Sequence, residues 1–271
     1  SLVVTGAPTF EFNLSQGDWQ KPYPPPTMAD LLNPQHGCQH ELLEFAKQEH
    51  NEEGLLALRD MLAFRQNPSW DKAIALTRQY IGDDAPHMVN TSPTTTRPIQ
   101  AAIDHALGPV MDALEEAEAE INRMIQGNFF GAGSKPLNEM PGWPTGFPAP
   151  TTYRALLDSG NEAAITAFHA YVADPMRSPE SIAFKYALDA LRQSRSVERA
   201  DALVREFIDP EGANAINIPH TVAGHIQQAL TTVRNTPPDA GLFGTLQTEM
   251  QMLIGTDVLP RFTDAVKTGA F

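Results

Sequence analysis

Few residues in this 271-residue chain are spaced for covalent chemistry. His36-Gly37-Cys38-Gln39-His40 brings three borderline metal ligands together. Their spacing is not that of a zinc site, and no second cluster answers them. Glu115, Glu116, Glu118 and Glu120 follow one another without a histidine three residues on. That pattern reads as a solvated acidic face rather than a carboxylate metal site. In Gly131-Ala132-Gly133-Ser134-Lys135 the lysine follows the serine, so the order of a phosphate-binding loop is not met. Thr94-Thr95-Thr96 offers hydroxyls with nothing beside them to direct a reaction. Eight histidines and one cysteine are scattered without a nucleophile–base pair. The expectation is a protein with no catalytic residue, no metal and no cofactor.

The polar residues that stand out do so by recurrence. Glu53, Leu55, Tyr80-Ile81 and Val89-Asn90 return as Glu180, Ile182, Phe207-Ile208 and Ile216-Asn217, all 127 residues later. Phe45 matches Phe168 at an offset of 123, and Leu31-Leu32 matches Leu156-Leu157 at 125. Leu114, Ile121 and Met124 match Phe243, Met250 and Leu253 at 129. Apolar matches follow from any shared core, whereas polar ones at an element's start or in a loop point to binding. A capped turn is the other reading of the two asparagines.

The elements that must position these residues read as helices. Glu41 to Lys47, Asn51 onward through Leu62, Ser69 to Ile81 and Val110 to Ile125 carry apolar residues at helical spacing. Asn51 is the expected N-cap, with Glu52 and Glu53 in the first turn where the helix dipole favours them. Further on come Ser159 to Val172, a helix opened by Ser178, Val197 to Ile208, a helix with Pro219 in its first turn, Leu242 to Ile254 and Val258 to Val266. Strand-like alternation is nearly absent, so the expected fold class is all-α. Residues 1–26 end in a proline run and read as an arm. A second break, 135–150, has a linker's proline and glycine content. Between and after them lie two segments of similar size, 27–134 and 151–271.

Composition narrows the function classes. Net charge is −14, with −9 on residues 27–134 and −4 on residues 151–271. Such a chain is a poor match for nucleic acid, whose phosphates demand clustered lysine and arginine. Apolar runs reach only four residues, so no membrane span is expected. Ser1-Leu2-Val3-Val4 has no basic flank of a secretory signal, and the single Cys38 excludes an internal disulfide. Both point to a cytoplasmic setting.

At the recurring residues the chain resembles the regulator of G-protein signalling (RGS) family. The family pattern has a helix ending near a Phe, then Ser-Glu-Glu-Asn opening a longer helix. An aromatic-Ile pair and an apolar-Asn-apolar loop follow, and Asp-x-x-Pro-Arg-Phe comes near the end. The second segment supplies Phe168, Ser178-Pro179-Glu180-Ser181, Phe207-Ile208, Ile216-Asn217-Ile218, Phe243, Gln247 and Asp257-Val258-Leu259-Pro260-Arg261-Phe262. The first is more divergent, with Phe45, Asn51-Glu52-Glu53-Gly54, Tyr80-Ile81, Val89-Asn90 and Asn128.

The resemblance implies two tandem RGS-like helical bundles. It also implies a GTPase partner such as a G-protein α subunit, whose own catalytic groups an RGS domain holds in their transition-state arrangement. The chain would then be at most a GTPase activator. Glu180, Ser181, Asn217, Asp257 and Arg261 would line the partner surface of the second bundle, and Glu53, Asn90 and Asn128 that of the first. Departures bear on activity. Ser181 and Gly54 stand where the family has Asn, Pro219 replaces an acidic residue, and Asn128 and Ala132 stand for the late Asp and Arg. The second bundle is therefore the expected activator. The alternative is an interaction scaffold that reuses the fold without GTPase activation. A single exposed face holding Glu180, Asn217, Asp257 and Arg261 would favour the first reading.

Overall fold

The longest apolar stripe in the chain sets the architecture. Ile99, Ile103, Leu107, Val110, Leu114, Ile121 and Ile125 recur at helical spacing, and all are buried. Burying each is worth about 1.5–3 kcal/mol, which outweighs the roughly 3 kcal/mol that an interior proline costs. The helix therefore runs through Gly108-Pro109 without a break, from Pro93 to Phe129. It begins well before Val110, where the sequence places its start.

The computed structural model describes residues 27–31 and 38–271. The proline-rich arm 1–26 lies outside the described residues, as do His36 and Gly37. All regular structure among the described residues is helical, as the apolar spacing predicts. The helices are α1 (Met28–Leu31), α2 (Cys38–Gln48), α3 (Glu53–Gln66), α4 (Trp70–Tyr80), α5 (Pro93–Phe129) and α6 (Tyr153–Asp158). They continue with α7 (Glu162–Val172), α8 (Pro179–Gln193), α9 (Val197–Leu203), α10 (His220–Asn235), α11 (Gly244–Leu253) and α12 (Leu259–Thr268). Single π-helical turns, Val204–Ile208 and Ile254–Val258, extend α9 and join α11 to α12.

Several local details differ from expectation. The N-cap of α3 is Glu52 rather than Asn51, and no side chain caps it. Ser178 occupies the α8 N-cap without a capping bond, and Pro219 sits at the α10 N-cap rather than inside the first turn. The helix expected from Ser159 starts at Glu162 instead, because Ser159 ends α6 and Asn161 caps α7 by accepting from the Ala164 N–H at 3.0 Å. Residues 135–150 are more ordered than a linker composition implies. They contain a 3-10 turn, Leu137–Glu139, with Leu137 and Met140 buried, and the Trp143 indole donates to the Phe147 carbonyl at 3.0 Å.

The internal recurrence extends from residue types to hydrogen bonds. Ser69 Oγ accepts from the Lys72 N–H at 3.2 Å, and Ser196 Oγ from the Arg199 N–H at 3.0 Å. Past α4, the His87 and Val89 N–H groups donate to the Gln79 and Tyr80 carbonyls, each at 3.0 Å. Past α9, the Asn214 and Ile216 N–H groups donate to the Glu206 and Phe207 carbonyls, at 3.2 and 2.8 Å. Each bond recurs at the same offset of 127 residues.

The chain forms two compact units whose boundaries differ from the segments 27–134 and 151–271. One unit combines the described residues up to Asp104 with Pro237–Phe271, and the other is His105–Thr236. The continuity of α5 is the reason. Its early turns belong to the first unit and its later ones to the second, because nothing turns the chain back. By contrast, Pro237-Pro238 ends α10 before α11 begins.

In the first unit α11 lies along α3. Phe243 meets the Phe64 ring edge-on with centroids 5.0 Å apart, and Leu246 and Met250 are buried. Phe45 of α2 contacts Phe262 of α12 and Phe271, each at 5.5 Å. The hydroxyls of Thr91 and Thr95 both donate to Glu249 of α11, which ties the loop before α5 to that helix.

In the second unit Phe129 and Phe130 pack on Phe168 of α7, at 6.0 and 5.2 Å. Glu118 of α5 is not on a solvated face. It accepts from Lys185 at 3.0 Å and from Arg192 of α8, while Lys185 also donates to Asn122 at 2.9 Å. Burial alone would raise the Glu118 carboxyl, but Arg192 and Lys185 together hold it below the usual carboxylate range. Beside them, His169 Nε2 lies 2.9 Å from the Tyr153 hydroxyl, and its Nδ1 lies 3.3 Å from that of Tyr186. Burial, followed by the Lys185 charge, lowers the His169 pKa to about 4. Asp201 is also buried and accepts from Arg205 and Arg234, joining α9 to α10.

Two outcomes are expected. Phe243→Ala costs about 3–5 kcal/mol, the usual range for a buried phenylalanine. Hydrogen exchange should show its lost protection in α3 and not in α8; the reverse would place α11 in the second unit. As pH falls from about 6.5, the unfolded value for histidine, toward 4, the unfolded chain binds a proton that folded His169 refuses. Stability is therefore present above 6.5 and lost on the way down to 4. Urea midpoints across that range should fall in the parent protein and fall less in His169→Gln.

Candidate partner-binding surface

The eight residues singled out by resemblance divide between the units. Glu53, Asn90, Asp257 and Arg261 lie in the first, and Glu180, Ser181, Asn217 and Asn128 in the second. The set Glu180, Asn217, Asp257 and Arg261, drawn from one stretch of sequence, is thus shared between two compact bodies.

In the first unit the geometry is built around Arg261. A residue four positions before it on a helical path presents its side chain to the same face, and that residue is Asp257. Arg261 Nε and Nη2 donate to the two Asp257 oxygens at 3.0 and 3.1 Å. Arg261 Nη1 donates to Glu49, just past the end of α2, at 2.6 Å. The hydrogen-bonding network orients the Asn51 amide so that its nitrogen donates to the Ala46 carbonyl and its oxygen accepts from Arg261. One guanidinium thus joins the α2–α3 corner to the start of α12. Its fork of donors suits this task where a lysine would not.

Glu53 follows in the first turn of α3, half-buried. A side chain at Gly54 would lie 3.8 Å from both Leu253 and Met250, so α11 backs directly onto this helix start. Leu253 and Met252 of α11 remain 43% and 64% exposed. Asn90 is exposed at the end of the loop after α4, fixed on one side by the Val89–Tyr80 backbone bond and on the other by Thr91 and Glu249.

The second unit repeats part of this. Glu180 is half-buried in the first turn of α8, and Asn217 is exposed beyond the Ile216–Phe207 bond. Asn128 is exposed near the end of α5, and Ala132 follows where the first unit has its arginine. Ser181 corrects the expectation that it lines a partner surface. It is fully buried, and its hydroxyl finds no hydrogen-bond partner among the described residues. Sequence reasoning also missed Glu49, Asn51 as an Arg261 partner, and Glu249. A carboxylate more than 200 residues from the arginine it binds leaves no pattern in the sequence.

Residues 154–267 match the family model of the regulator of G protein signaling domain. The matched stretch covers the second unit from α6 to Thr236 and continues into α11 and α12 of the first. No curated protein and no solved structure matches the chain. Among the described residues, no helix is long and apolar enough to cross a membrane.

Ser181→Ala tests the packing assignment. Removing a buried hydroxyl without a partner is expected to leave stability unchanged or raise it by up to about 1 kcal/mol. Partner affinity should stay unchanged; a fall in affinity with the urea midpoint preserved would return Ser181 to the binding surface.

Proposed function

We propose that this protein binds the α subunit of a heterotrimeric G protein and speeds its GTP hydrolysis, acting without catalytic groups of its own. The observation that carries the reading is the family match over residues 154–267, which includes the Asp257–Arg261 pair. The pair suits the role physically. Arg261 holds Asp257 in place, and the carboxylate is about half exposed, so it is free to accept hydrogen bonds from a partner. A regulator of this kind lowers the barrier by fixing the GTPase's mobile loops in their reactive arrangement. Positioning and preorganised electrostatics supply the rate, not new chemistry. The working place of such a partner is the cytoplasmic side of a membrane, and the same is proposed for this chain.

A second reading is a scaffold that keeps the fold and binds without accelerating hydrolysis. The replacements at Gly54 and Pro219 favour it, since each removes a polar group from the family pattern, and Ser181 is shorter than the family Asn and buried.

The test is single-turnover GTP hydrolysis by a panel of G-protein α subunits, with this protein and with Asp257→Ala. Because Asp257 is exposed, the variant should melt as the parent does. Acceleration that falls about tenfold in the variant, the equivalent of about 1.4 kcal/mol, is the expected result. Binding of the transition-state-mimic form without acceleration would select the scaffold, and absence of binding would end both readings.

A further inference from the structure

We propose that the chain has two closed arrangements, which differ in where α11 and the later half of α5 lie, and that a polar latch on α8 holds the one seen here. In this structure α11 lies along α3, and the later half of α5 lies along α8. In the second arrangement each closes on its own segment, 27–134 or 151–271, and α5 turns at Gly108-Pro109. The family-matched stretch, 154–267, then belongs to one body.

The recurrence makes the two places equivalent. At the offset of 129 that relates Leu114, Ile121 and Met124 to Phe243, Met250 and Leu253, Gly108-Pro109 corresponds to Pro237-Pro238. The same position therefore follows the end of α10 in one segment and lies inside α5 in the other. Pro109 has no N–H to give the His105 carbonyl, so the α5 ladder lacks a bond where the two units divide, between Asp104 and His105. Ring contacts correspond as well. Phe45 meets Phe262 in the first unit, and its match Phe168 meets Phe130 in the second.

Interchangeable apolar faces need polar groups to choose between them. Glu118 and Asn122 of α5 correspond to Gln247 and Gln251 of α11, at 129, and Lys185 of α8 to Leu58 of α3, at 127. Lys185 is buried and donates to Glu118 at 3.0 Å and to Asn122 at 2.9 Å. With α11 along α8, Lys185 would meet Gln247 and lose its carboxylate. With α5 along α3, Glu118 would meet buried Leu58. A buried charge deprived of its partner is costly, so the latch opposes the second arrangement at both places. Glu249 of α11 acts in the same sense, because Thr91, which donates to it, corresponds to Ile218, a residue without a hydroxyl.

The experiment measures the distance between spin labels on Ala101→Cys and Ala119→Cys in the full chain, with Cys38→Ala throughout. Both positions are exposed on α5. An unbroken α5 holds them about 27 Å apart, from the usual helical rise, and the parent should give that distance alone. Moving the carboxylate to α11, by Glu118→Gln with Gln247→Glu, should add a second distance shorter by about 5 Å or more. Adding Pro109→Ala restores the missing helix bond and should remove it. If the moved carboxylate prevents folding, the pair Glu118→Gln with Lys185→Leu decides, since it leaves no buried charge unmatched; it should show both distances. The longer distance alone in every folded variant would overturn the proposal, as would both distances in the parent or a shorter one that survives Pro109→Ala. A shorter distance found only in dimers would give the exchange to a second copy of the chain and overturn the internal one. The readout needs no GTPase, so it stands apart from the proposed function.

Discussion

Everything in this architecture depends on the uninterrupted burial of one helix face. At about 1.5 Å per residue, the 37 residues of α5 extend about 55 Å. A helix that does not turn back cannot return its last turns to the bundle where it began. Its early part closes against the first unit, and its later part supplies Leu114, Ile121 and Ile125 to the second. The place beside α3 is filled by α11, whose sequence recurs with that of the later half of α5 at an offset of 129. Proline decides the two outcomes differently. Pro98 and Pro109 lie on the exposed side of α5 while the buried stripe runs on past them, whereas Pro237-Pro238 stands where no such stripe continues.

The polar contacts follow from this choice. Once α5 lies along α8, Glu118 has little solvent and must be matched by Lys185, Arg192 and the Asn122 amide nearby. A half-buried carboxylate without them would be costly, since removing one partner of such a group typically destabilises by about 3–5 kcal/mol. Once α11 and α12 lie in the first unit, Arg261 meets Glu49 and Asn51. These charges are specific consequences of how the chain is shared out, and they hold each arrangement in register.

On the proposed reading the chain needs ordered acceptors more than reactive ones, and the loop asparagines and the Asp257 carboxylate are of that kind. The groups with strongly altered titration lie elsewhere. Cys38 is buried, its thiol pushed up to about 12, and His169 is neutral within the second unit. Burial is the largest cause of both shifts, and each group packs within its own unit.

The helices, the acidic balance and the recurrence of Glu53 with Glu180 and of Asn90 with Asn217 were all legible in the sequence. Each rests on local periodicity or on residue type at a fixed spacing. The aromatic-Ile pairs and apolar-Asn loops carry matching backbone bonds in the structure, because a helix end and its following turn are set within a short stretch of chain. The Asp257 to Arg261 pairing was readable for the same reason, as a four-residue step on a helix. What only the tertiary structure decided is which copy of each element meets which. Apolar faces of similar pattern are interchangeable partners, and the hydrophobic effect that joins them has no direction and little specificity. So α11 could lie against α8 or α3, Ser181 could face solvent or core, and Arg261 could meet either glutamate-bearing corner. The choice was made by the one helix that did not stop.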